Sequence, residues 1–310
     1  MNYRPFGKTG LSVSEISFGT VSLGVDYGIE TPGGFGRPDE QEAIHLLEEA
    51  LESGINLYDT APAYGESERL LGLALGAKKD AIFATKITIP PGISSENELK
   101  IILESSLESS LEKLRRDYVD ILQIHNATVE TLAQTPITEV LSAIKKTGRV
   151  RCLGATVYTV DEALAVIAAG EYESLQVAFS ILDQRMADRV FPAAYSAGIA
   201  VMCRSALLKG VLSPKAQWLP EELKFLRERV DELVKLFGIS YEDLPSFATR
   251  YCLSSSQIST VLTGARTSEE LQEALSSALL GVLPEHICSS AGRLSLADEK
   301  HWNPSCWPIK

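Results

Sequence analysis

The sequence predicts an α/β fold, a (β/α)8 TIM-type barrel. Two features support this prediction: eight short runs of strand type alternate with segments of helical period, and the strand runs are continuously apolar. Alternating strands and helices are typical of a parallel sheet. Continuously apolar strands fit a sheet covered by helices on one side and filled by packed side chains on the other.

The elements follow one another regularly along the chain. The opening segment M-N-Y-R-P-F-G-K-T-G-L is predicted to form a small, turn-rich cap. The predicted strands are Glu15–Phe18, Ile55–Asp59, Ala81–Lys86, Tyr118–His125, Val150–Thr156, Ser174–Phe179, Ala200–Ser205 and Ser259–Gly264. The predicted helices are Asp39–Ser53, Ser67–Gly76, Glu96–Leu114, Pro136–Thr147, Thr159–Ala169, Arg185–Ala197, Pro220–Phe237 and Thr267–Leu279. Each predicted helix follows one strand, as in a barrel.

An open, doubly wound sheet is the alternative to a barrel. Such a sheet usually carries G-x-G-x-x-G after its first strand. Here the first strand continues into G-T-V-S-L-G-V-D-Y-G, and in the cluster at residues 33–36 an aspartate falls where the third glycine belongs. We therefore expect one barrel domain over residues 1–310, with an extended first βα loop (24–38) and a C-terminal tail (281–310).

Composition excludes several classes of partner. A net charge of −12 and a pI near 4.9 argue against binding to nucleic acid or to an anionic membrane. The N-terminus has no apolar signal core, and no apolar run approaches the ~20 residues that cross a bilayer. The five cysteines are far apart in the sequence and are expected to be reduced thiols. We expect a cytoplasmic protein whose partner is a small molecule; nothing here identifies a partner protein.

Charged and polar residues end three neighbouring strands. Asp59 ends the second strand, Lys86 the third and His125 the fourth, while Tyr64 lies on the loop after the second strand. Barrel enzymes place their chemistry at the C-terminal ends of the strands. We therefore expect these four side chains to meet at one end of the barrel.

Together these residue types suit the reduction of a carbonyl group. A tyrosine with a pKa of about 10 is a poor acid near neutral pH, and a nearby cation lowers that pKa. Lys86 can supply the cation, Asp59 can hold it, and His125 can orient a carbonyl oxygen through a ring N–H. The hydride would have to come from a nicotinamide cofactor.

The pattern D-T-A-x-x-Y-G-x-S-E-x-x-L-G at residues 59–72 resembles the signature of the aldo-keto reductases, NAD(P)H-dependent (β/α) barrels. The resemblance covers essentially the whole chain. It implies that Asp59, Tyr64, Lys86 and His125 are the catalytic tetrad, with Tyr64 as the acid, and that Gln176 meets the nicotinamide carboxamide. The further cofactor-binding residues, besides Asp59, are Gly19, Thr20, Thr156, Arg204, Ser205, Ala206, Leu207, Lys209, Gly264, Ala265, Arg266, Thr267 and Glu273. Here the loop from Arg204 to Leu208 would follow the pyrophosphate, and the segment from Gly264 would hold the adenosine end. Phosphate sites in barrels often occupy these loops after strands seven and eight.

Several residues depart from the family pattern. Val157 stands where many relatives have asparagine, Glu270 where some carry a base for the 2′-phosphate, and Ala274 where many have asparagine. Arg266 alone could still pair with that phosphate. The sequence therefore favours NADP slightly, with NAD possible.

Two other functions remain open. A Schiff-base aldolase could use Lys86 as its nucleophile, and a non-catalytic nicotinamide-binding sensor or subunit could use the same cofactor site. The histidines lack metal-ligand spacing, so we expect no metal site. Tyr27 and Phe35 could line a substrate pocket, and the tail, which carries Trp302 and Trp307, could fold over its opening. Truncation after Ala297 is therefore predicted to raise KM for bulky carbonyls and to spare cofactor binding. Two helix caps are also predicted, at Ser67 and at Thr267.

Overall fold

Eight parallel strands close into a barrel, as predicted. The computed structural model describes residues 1–32, 36–93, 95–133 and 136–309. An antiparallel pair precedes the barrel: β1 (Tyr3–Pro5) and β2 (Ser12–Ser14). The barrel strands are β3 (Ile16–Gly19), β4 (Leu57–Asp59), β5 (Ile82–Ile87), β6 (Val119–Ile124), β7 (Val150–Val157), β8 (Ser174–Ala178), β9 (Ala200–Arg204) and β10 (Thr260–Thr263). They pair in chain order, and β10 pairs with β3 to close the ring.

Helices surround the ring. The α-helices are α1 (Val21–Gly24), α2 (Glu40–Glu52), α3 (Ser67–Leu75), α4 (Glu96–Leu114), α5 (Val129–Ala133), α6 (Ile137–Lys146), α7 (Val160–Ala169), α8 (Val190–Ala197), α9 (Lys224–Phe237), α10 (Leu244–Leu253), α11 (Ser268–Leu279), α12 (Glu285–Ala291) and α13 (Glu299–Trp302). Short 3-10 turns lie at Leu208–Gly210, Pro214–Trp218, Glu221–Leu223, Gly292–Leu294 and Pro304–Cys306. Within the described ranges, no helix combines the length and hydropathy that crossing a membrane requires.

The antiparallel pair closes one end of the barrel. Phe6, Leu11 and Val13 are buried in a cluster with strand residues such as Leu57 and Met202. Arg4 fixes the pair from outside, since its guanidinium donates to Glu15 and to the carbonyl oxygens of residues 253, 255 and 258. The strands finish at the opposite end of the barrel.

The C-terminal tail packs on the barrel. Trp302 and Trp307 are buried in the large cluster between strands and helices, and the Arg185 guanidinium lies 3.2 Å from the centre of the Trp302 ring. Lys209 Nζ donates to the Ile309 carbonyl oxygen at 3.1 Å, which joins the end of the tail to the loop after β9. The two tryptophans are therefore packing residues in this structure, and the tail also contacts the β9 loop.

Two predictions need correction, and one buried helix was missed. α10 was not predicted, and the predicted helix Arg185–Ala197 is ordered as a helix only over α8. Ser67 does not cap α3: Glu66 occupies the cap position, and the Ser67 hydroxyl donates to the Thr20 carbonyl oxygen at 2.7 Å. That bond joins α3 to the loop after β3, so the serine serves tertiary structure.

Candidate active site

Alternation along the strands determines which side chains enter the barrel. Successive strand residues point to opposite faces, so residues two apart share one. Leu57, Ala84 and Ile121 lie in the plugged interior layer. The next inward residues along these strands are Asp59, Lys86 and Gln123, all buried. The barrel interior therefore has an apolar layer next to the antiparallel pair and a polar layer at the end where the strands finish.

Asp59 is the centre of this polar layer. Its Oδ2 accepts a hydrogen bond from Lys86 Nζ at 2.6 Å. Its Oδ1 accepts from the side-chain amides of Gln123, at 3.0 Å, and Gln176, at 2.7 Å. Three donors therefore satisfy the hydrogen-bonding capacity of this buried carboxylate.

Lys86 is held as a cation. Its side chain is fully buried, and it donates to Asp59 and to the Thr60 carbonyl oxygen at 3.0 Å. Burial lowers the pKa of Lys86. The interactions with Asp59 and then Tyr64 raise this pKa by a larger amount, so it lies above the usual value for lysine. The ammonium lies 4.9 Å from the centre of the Tyr64 ring.

Tyr64 remains a phenol in this environment. Burial raises the pKa of its hydroxyl, and the charge of Lys86 opposes this effect without overcoming it. The expectation that Lys86 lowers this pKa is therefore correct for the contribution of the lysine, but the net direction is upward. Tyr64 is thus a protonated group beside a cation that would stabilise its phenolate.

Two glycines fix the backbone at Tyr64. A Cβ on Gly24 would lie well inside contact distance of the Tyr64 carbonyl oxygen, and a Cβ on Gly65 would collide with the Gly24 carbonyl oxygen. Gly65 also has a φ of 55°, in the left-handed region that favours glycine. The loop that carries Tyr64 is therefore packed directly on the short α1 helix.

His125 follows β6 and faces Tyr64. The two ring centroids are 5.8 Å apart in an edge-to-face arrangement. Burial, and then the positive charge of Lys86, lower the pKa of His125 to about 4. The imidazole is therefore neutral near pH 7, with one ring N–H available as a donor.

Thr156 and Gln176 lie side by side on β7 and β8. They are Cα partners in the ladder, and both are buried. The Thr156 hydroxyl is buried without a hydrogen-bond partner among the described residues. Gln176 Nε2 donates to Asp59, so the side-chain oxygen of Gln176 is available to accept a hydrogen bond from a ligand. An amide such as a nicotinamide carboxamide offers the donors and acceptor that these two side chains can use.

Arg204 lies closer to the tetrad than the sequence suggested. Its guanidinium is 4.5 Å from the centre of the Tyr158 ring and donates to the Val157 carbonyl oxygen at 3.3 Å. Its charge also lowers the pKa values of Tyr64 and His125. The guanidinium thus lies near Tyr64 and His125, whereas the loop that begins at Arg204 was expected to follow the pyrophosphate.

The loop after β9 has an unusual backbone. Ser205, Leu208 and Lys209 have φ values of 61°, 46° and 58°, and Arg115 is the one other non-glycine residue with positive φ in the described chain. Such conformations cost of order 1–3 kcal/mol each and cluster at ligand sites. Ala206 and Leu207, which were predicted to bind the cofactor, belong to the same loop.

The segment after β10 brings the remaining predicted residues together. Gly19 and Gly264 approach each other, and the Ser22 hydroxyl donates to the Ala265 carbonyl oxygen at 3.4 Å. The Thr20 amide donates to the Asp59 carbonyl oxygen at 2.9 Å, so this region adjoins the tetrad. Phe35, predicted to line the pocket, lies outside the described residues, as do Gly33 and Gly34.

Thr267 caps α11, as predicted. Its hydroxyl accepts from the Glu270 amide at 3.3 Å. The Glu270 carboxylate, however, accepts from the backbone amide and the guanidinium of Arg266, both at 2.9 Å, and from Lys215 Nζ at 2.9 Å. Arg266 is therefore already paired.

Two polar residues of this site were missed from the sequence. Gln123 donates a hydrogen bond to Asp59. Because Gln123 stands two residues before His125, its inward direction could have been predicted from the sequence. Glu68 is buried on α3 and accepts from the Thr85 hydroxyl at 2.7 Å, next to Lys86. Nothing in the sequence pattern indicated that Glu68 is buried.

Comparisons with known proteins identify the family. The model of the Aldo/keto reductase family matches residues 15–289. L-galactose dehydrogenase from Arabidopsis thaliana is 31% identical over 289 residues, which cover 87% of this chain and 86% of that protein. The NADH-specific methylglyoxal reductase of Escherichia coli (strain K12) is 28% identical over 302 residues, or 87% of this chain and 91% of that protein. The holo form of aldo-keto reductase AKR11C1 from Bacillus halodurans superposes with a TM-score of 0.77 at 27% identity, covering 98% of this chain and 100% of that one. The chain belongs to the aldo/keto reductase family.

Proposed function

We propose that this protein is an NAD(P)H-dependent oxidoreductase that reduces an aldehyde or ketone to an alcohol, with Tyr64 as the general acid. The observation that carries the proposal is the buried Lys86–Asp59 ion pair beneath the Tyr64 ring, beside a neutral His125. A phenol supported in this way can protonate an oxygen on which negative charge develops.

Each tetrad residue has a separate part in the proton step. The Tyr64 hydroxyl gives its proton to the carbonyl oxygen, which leaves a phenolate beside the Lys86 ammonium. Lys86 stabilises that phenolate, and Asp59 keeps Lys86 in position and charged. The neutral His125 ring donates an N–H to the same carbonyl oxygen and so orients it for proton transfer.

The cofactor supplies the hydride when it is bound. We propose that Thr156 and Gln176 hold its carboxamide, because one has an unpartnered buried hydroxyl and the other a free acceptor beside Asp59. Gly19 and Thr20 would adjoin the nicotinamide, and Arg204 would lie at the same end. The β9 loop from Ser205 to Lys209 would contact the phosphates, and the segment from Gly264 to Thr267, with Glu273, the adenosine end.

The names of two relatives are compatible with a small carbonyl or hydroxyl compound as substrate. One relative is named a methylglyoxal reductase and the other an L-galactose dehydrogenase. Both names describe interconversion of a carbonyl and an alcohol. We propose the same reaction type here.

The Schiff-base aldolase is less well supported. A nucleophilic lysine needs a neutral amine, whereas the pKa of Lys86 is raised, because Asp59 and Tyr64 outweigh the effect of burial. Borohydride added with a carbonyl compound would trap a covalent adduct on Lys86 if the aldolase were correct.

The experiment that tests the proposal is direct. NADH and NADPH are each mixed with the protein and a panel of aldehydes and ketones, and absorbance is followed at the reduced-nicotinamide band. We expect loss of absorbance that depends on both enzyme and carbonyl compound. Absence of turnover across the panel, with the dinucleotide still bound, would favour the non-catalytic sensor instead.

A further inference from the structure

The Glu270 carboxylate, at the start of α11, forms ion pairs with both Arg266 and Lys215. Oε1 accepts from Arg266 and from Lys215, each at 2.9 Å, and Oε2 accepts from the Arg266 amide at 2.9 Å. Burial raises the pKa of Glu270, but the bonds to Arg266 and Lys215 outweigh it and lower the pKa to about 2. The group is therefore an anion at any pH near neutrality.

These contacts also connect two separate segments of the chain at the proposed adenosine site. Lys215 comes from the 3-10 turn Pro214–Trp218 after β9, whereas Arg266 and Glu270 come from the segment after β10. The side chains of this triad are only 18–32% exposed. The carboxylate is thus held at a fixed place by two separate segments.

A second acid lies one helical turn further on. Burial, and then the negative charge of Glu270, raise the pKa of Glu273. Residues three apart are neighbours on a helix surface, so Glu273 lies beside Glu270. Glu270 and Glu273 therefore already supply two carboxylates beside the two cations Arg266 and Lys215.

This charge pattern disfavours a phosphate on the adenosine ribose. A phosphate monoester carries about −1.5 to −2 charges at pH 7, and it would have to displace Glu270 from both cations while standing close to it. An unmodified ribose instead offers two hydroxyl donors, and a carboxylate that accepts from the ribose 2′-hydroxyl is a known device for NAD. We infer that this site selects NAD(H) over NADP(H), and that Glu270 is the residue that determines the choice.

This inference rests on the proposed function, because it needs a dinucleotide in the groove. The sequence favoured NADP through Arg266 alone. In the structure that guanidinium is bound to Glu270, so it is not free to receive a 2′-phosphate.

Binding measurements test the inference without reference to turnover. NADH and NADPH are titrated into the intact protein, with quenching of tryptophan fluorescence as the signal. We expect the Kd for NADH to be lower than that for NADPH by about tenfold or more. Adenosine 5′-monophosphate should likewise bind more tightly than adenosine 2′,5′-bisphosphate. The two compounds differ only by the 2′-phosphate, so this comparison isolates the effect at the ribose.

The variant Glu270→Gln removes the charge and frees the two cations. Its Kd for NADPH should fall by about tenfold or more, while its Kd for NADH stays the same or rises. Glu269→Gln is the matched control, since it removes the same charge from an exposed position in the same helical turn. We expect its two Kd values to remain within about threefold of wild type.

The outcomes separate the two proposals. Tighter binding of NADPH than of NADH by the wild-type protein, or equal changes in both Kd values in Glu270→Gln, would overturn the inference and leave the proposed reductase intact. Failure of both dinucleotides to bind would overturn both. The wild-type ratio decides the matter even if Glu270→Gln does not fold.

Discussion

Lys86 Nζ lies 2.6 Å from Asp59 Oδ2, in an ion pair almost completely removed from solvent. The carboxylate also receives the amides of Gln123 and Gln176, so its second oxygen is satisfied as well. Burying two charges is costly, and the cost is recovered only where geometry and additional hydrogen bonds are good. Here the ammonium is placed beneath the Tyr64 ring, where a phenolate would form.

Lys86→Met should destabilise the fold and abolish turnover. Removal of one partner leaves the Asp59 carboxylate buried with two amide donors, and breaking such a pair typically costs about 3–5 kcal/mol. Chemical denaturation measures the loss. The double variant Asp59→Asn/Lys86→Met should recover most of that stability, because no buried charge remains, but it should recover no turnover. A double variant as unstable as Lys86→Met would contradict this account of the pair.

His125 should make stability depend on pH in the acidic range. Its native pKa is about 4, while the unfolded value is about 6.5. As pH falls from about 6.5 to about 4, the unfolded state binds a proton that the native state does not, so stability falls by at most about 3 kcal/mol. Below that range both states carry the proton and this loss stops.

The comparison with His125→Asn isolates this effect. The variant keeps a side-chain N–H donor but cannot titrate, so its free energy of unfolding should decline less between pH 7 and pH 4 than that of wild type. His45→Asn, at an exposed position of α2, serves as the control and should follow wild type. Parallel curves for wild type and His125→Asn would show that the imidazole does not titrate in this way.

Gly24→Ala should impair catalysis by moving Tyr64. The added methyl group would meet the Tyr64 carbonyl oxygen and the Ser67 hydroxyl, so the loop must shift. A misplacement of about 1 Å can cost about a hundredfold in rate, and overpacking costs typically 1–3 kcal/mol in stability. We expect kcat to fall by about tenfold or more. Gly292→Ala, where a Cβ meets nothing within 4 Å, should leave kcat unchanged; an unaltered kcat in Gly24→Ala would contradict the packing argument.

The barrel could be predicted because its strands follow a simple pattern. Apolar runs of four to eight residues recur between helical segments, and the alternation that buries Ala84 also directs Lys86 inward. α10 was missed for a physical reason. Its residues Leu244, Phe247, Ala248, Tyr251 and Cys252 are buried on most sides, so the segment lacks the polar face that reveals a surface helix.

Contacts between distant segments could not be predicted in the same way. From the sequence, the Ser67 hydroxyl could cap a helix or could donate to a distant carbonyl oxygen such as that of Thr20. Only the folded chain decides between these two bonds. Glu270 fits the capping pattern at the start of α11, yet its carboxylate is directed to Arg266 and Lys215. Sequence identifies the residue types available at a site; partners 55 positions apart, such as Lys215 and Glu270, depend on the tertiary fold.

The tail shows the same limit. The tail that carries Trp302 and Trp307 was predicted to fold over the barrel opening, and the burial of both indoles in the main core could not be foreseen from the sequence. The predicted effect of truncation on KM therefore needs a stability measurement beside it, because removal of two buried indoles costs several kcal/mol.

We propose that the Tyr64 hydroxyl delivers the proton to the carbonyl oxygen, and the variant Tyr64→Phe tests this step. The variant should bind the reduced dinucleotide with a Kd close to that of wild type, while single-turnover oxidation of the dinucleotide by a carbonyl compound should slow by about a thousandfold, within the usual range for loss of a general acid. An unchanged single-turnover rate would contradict the account.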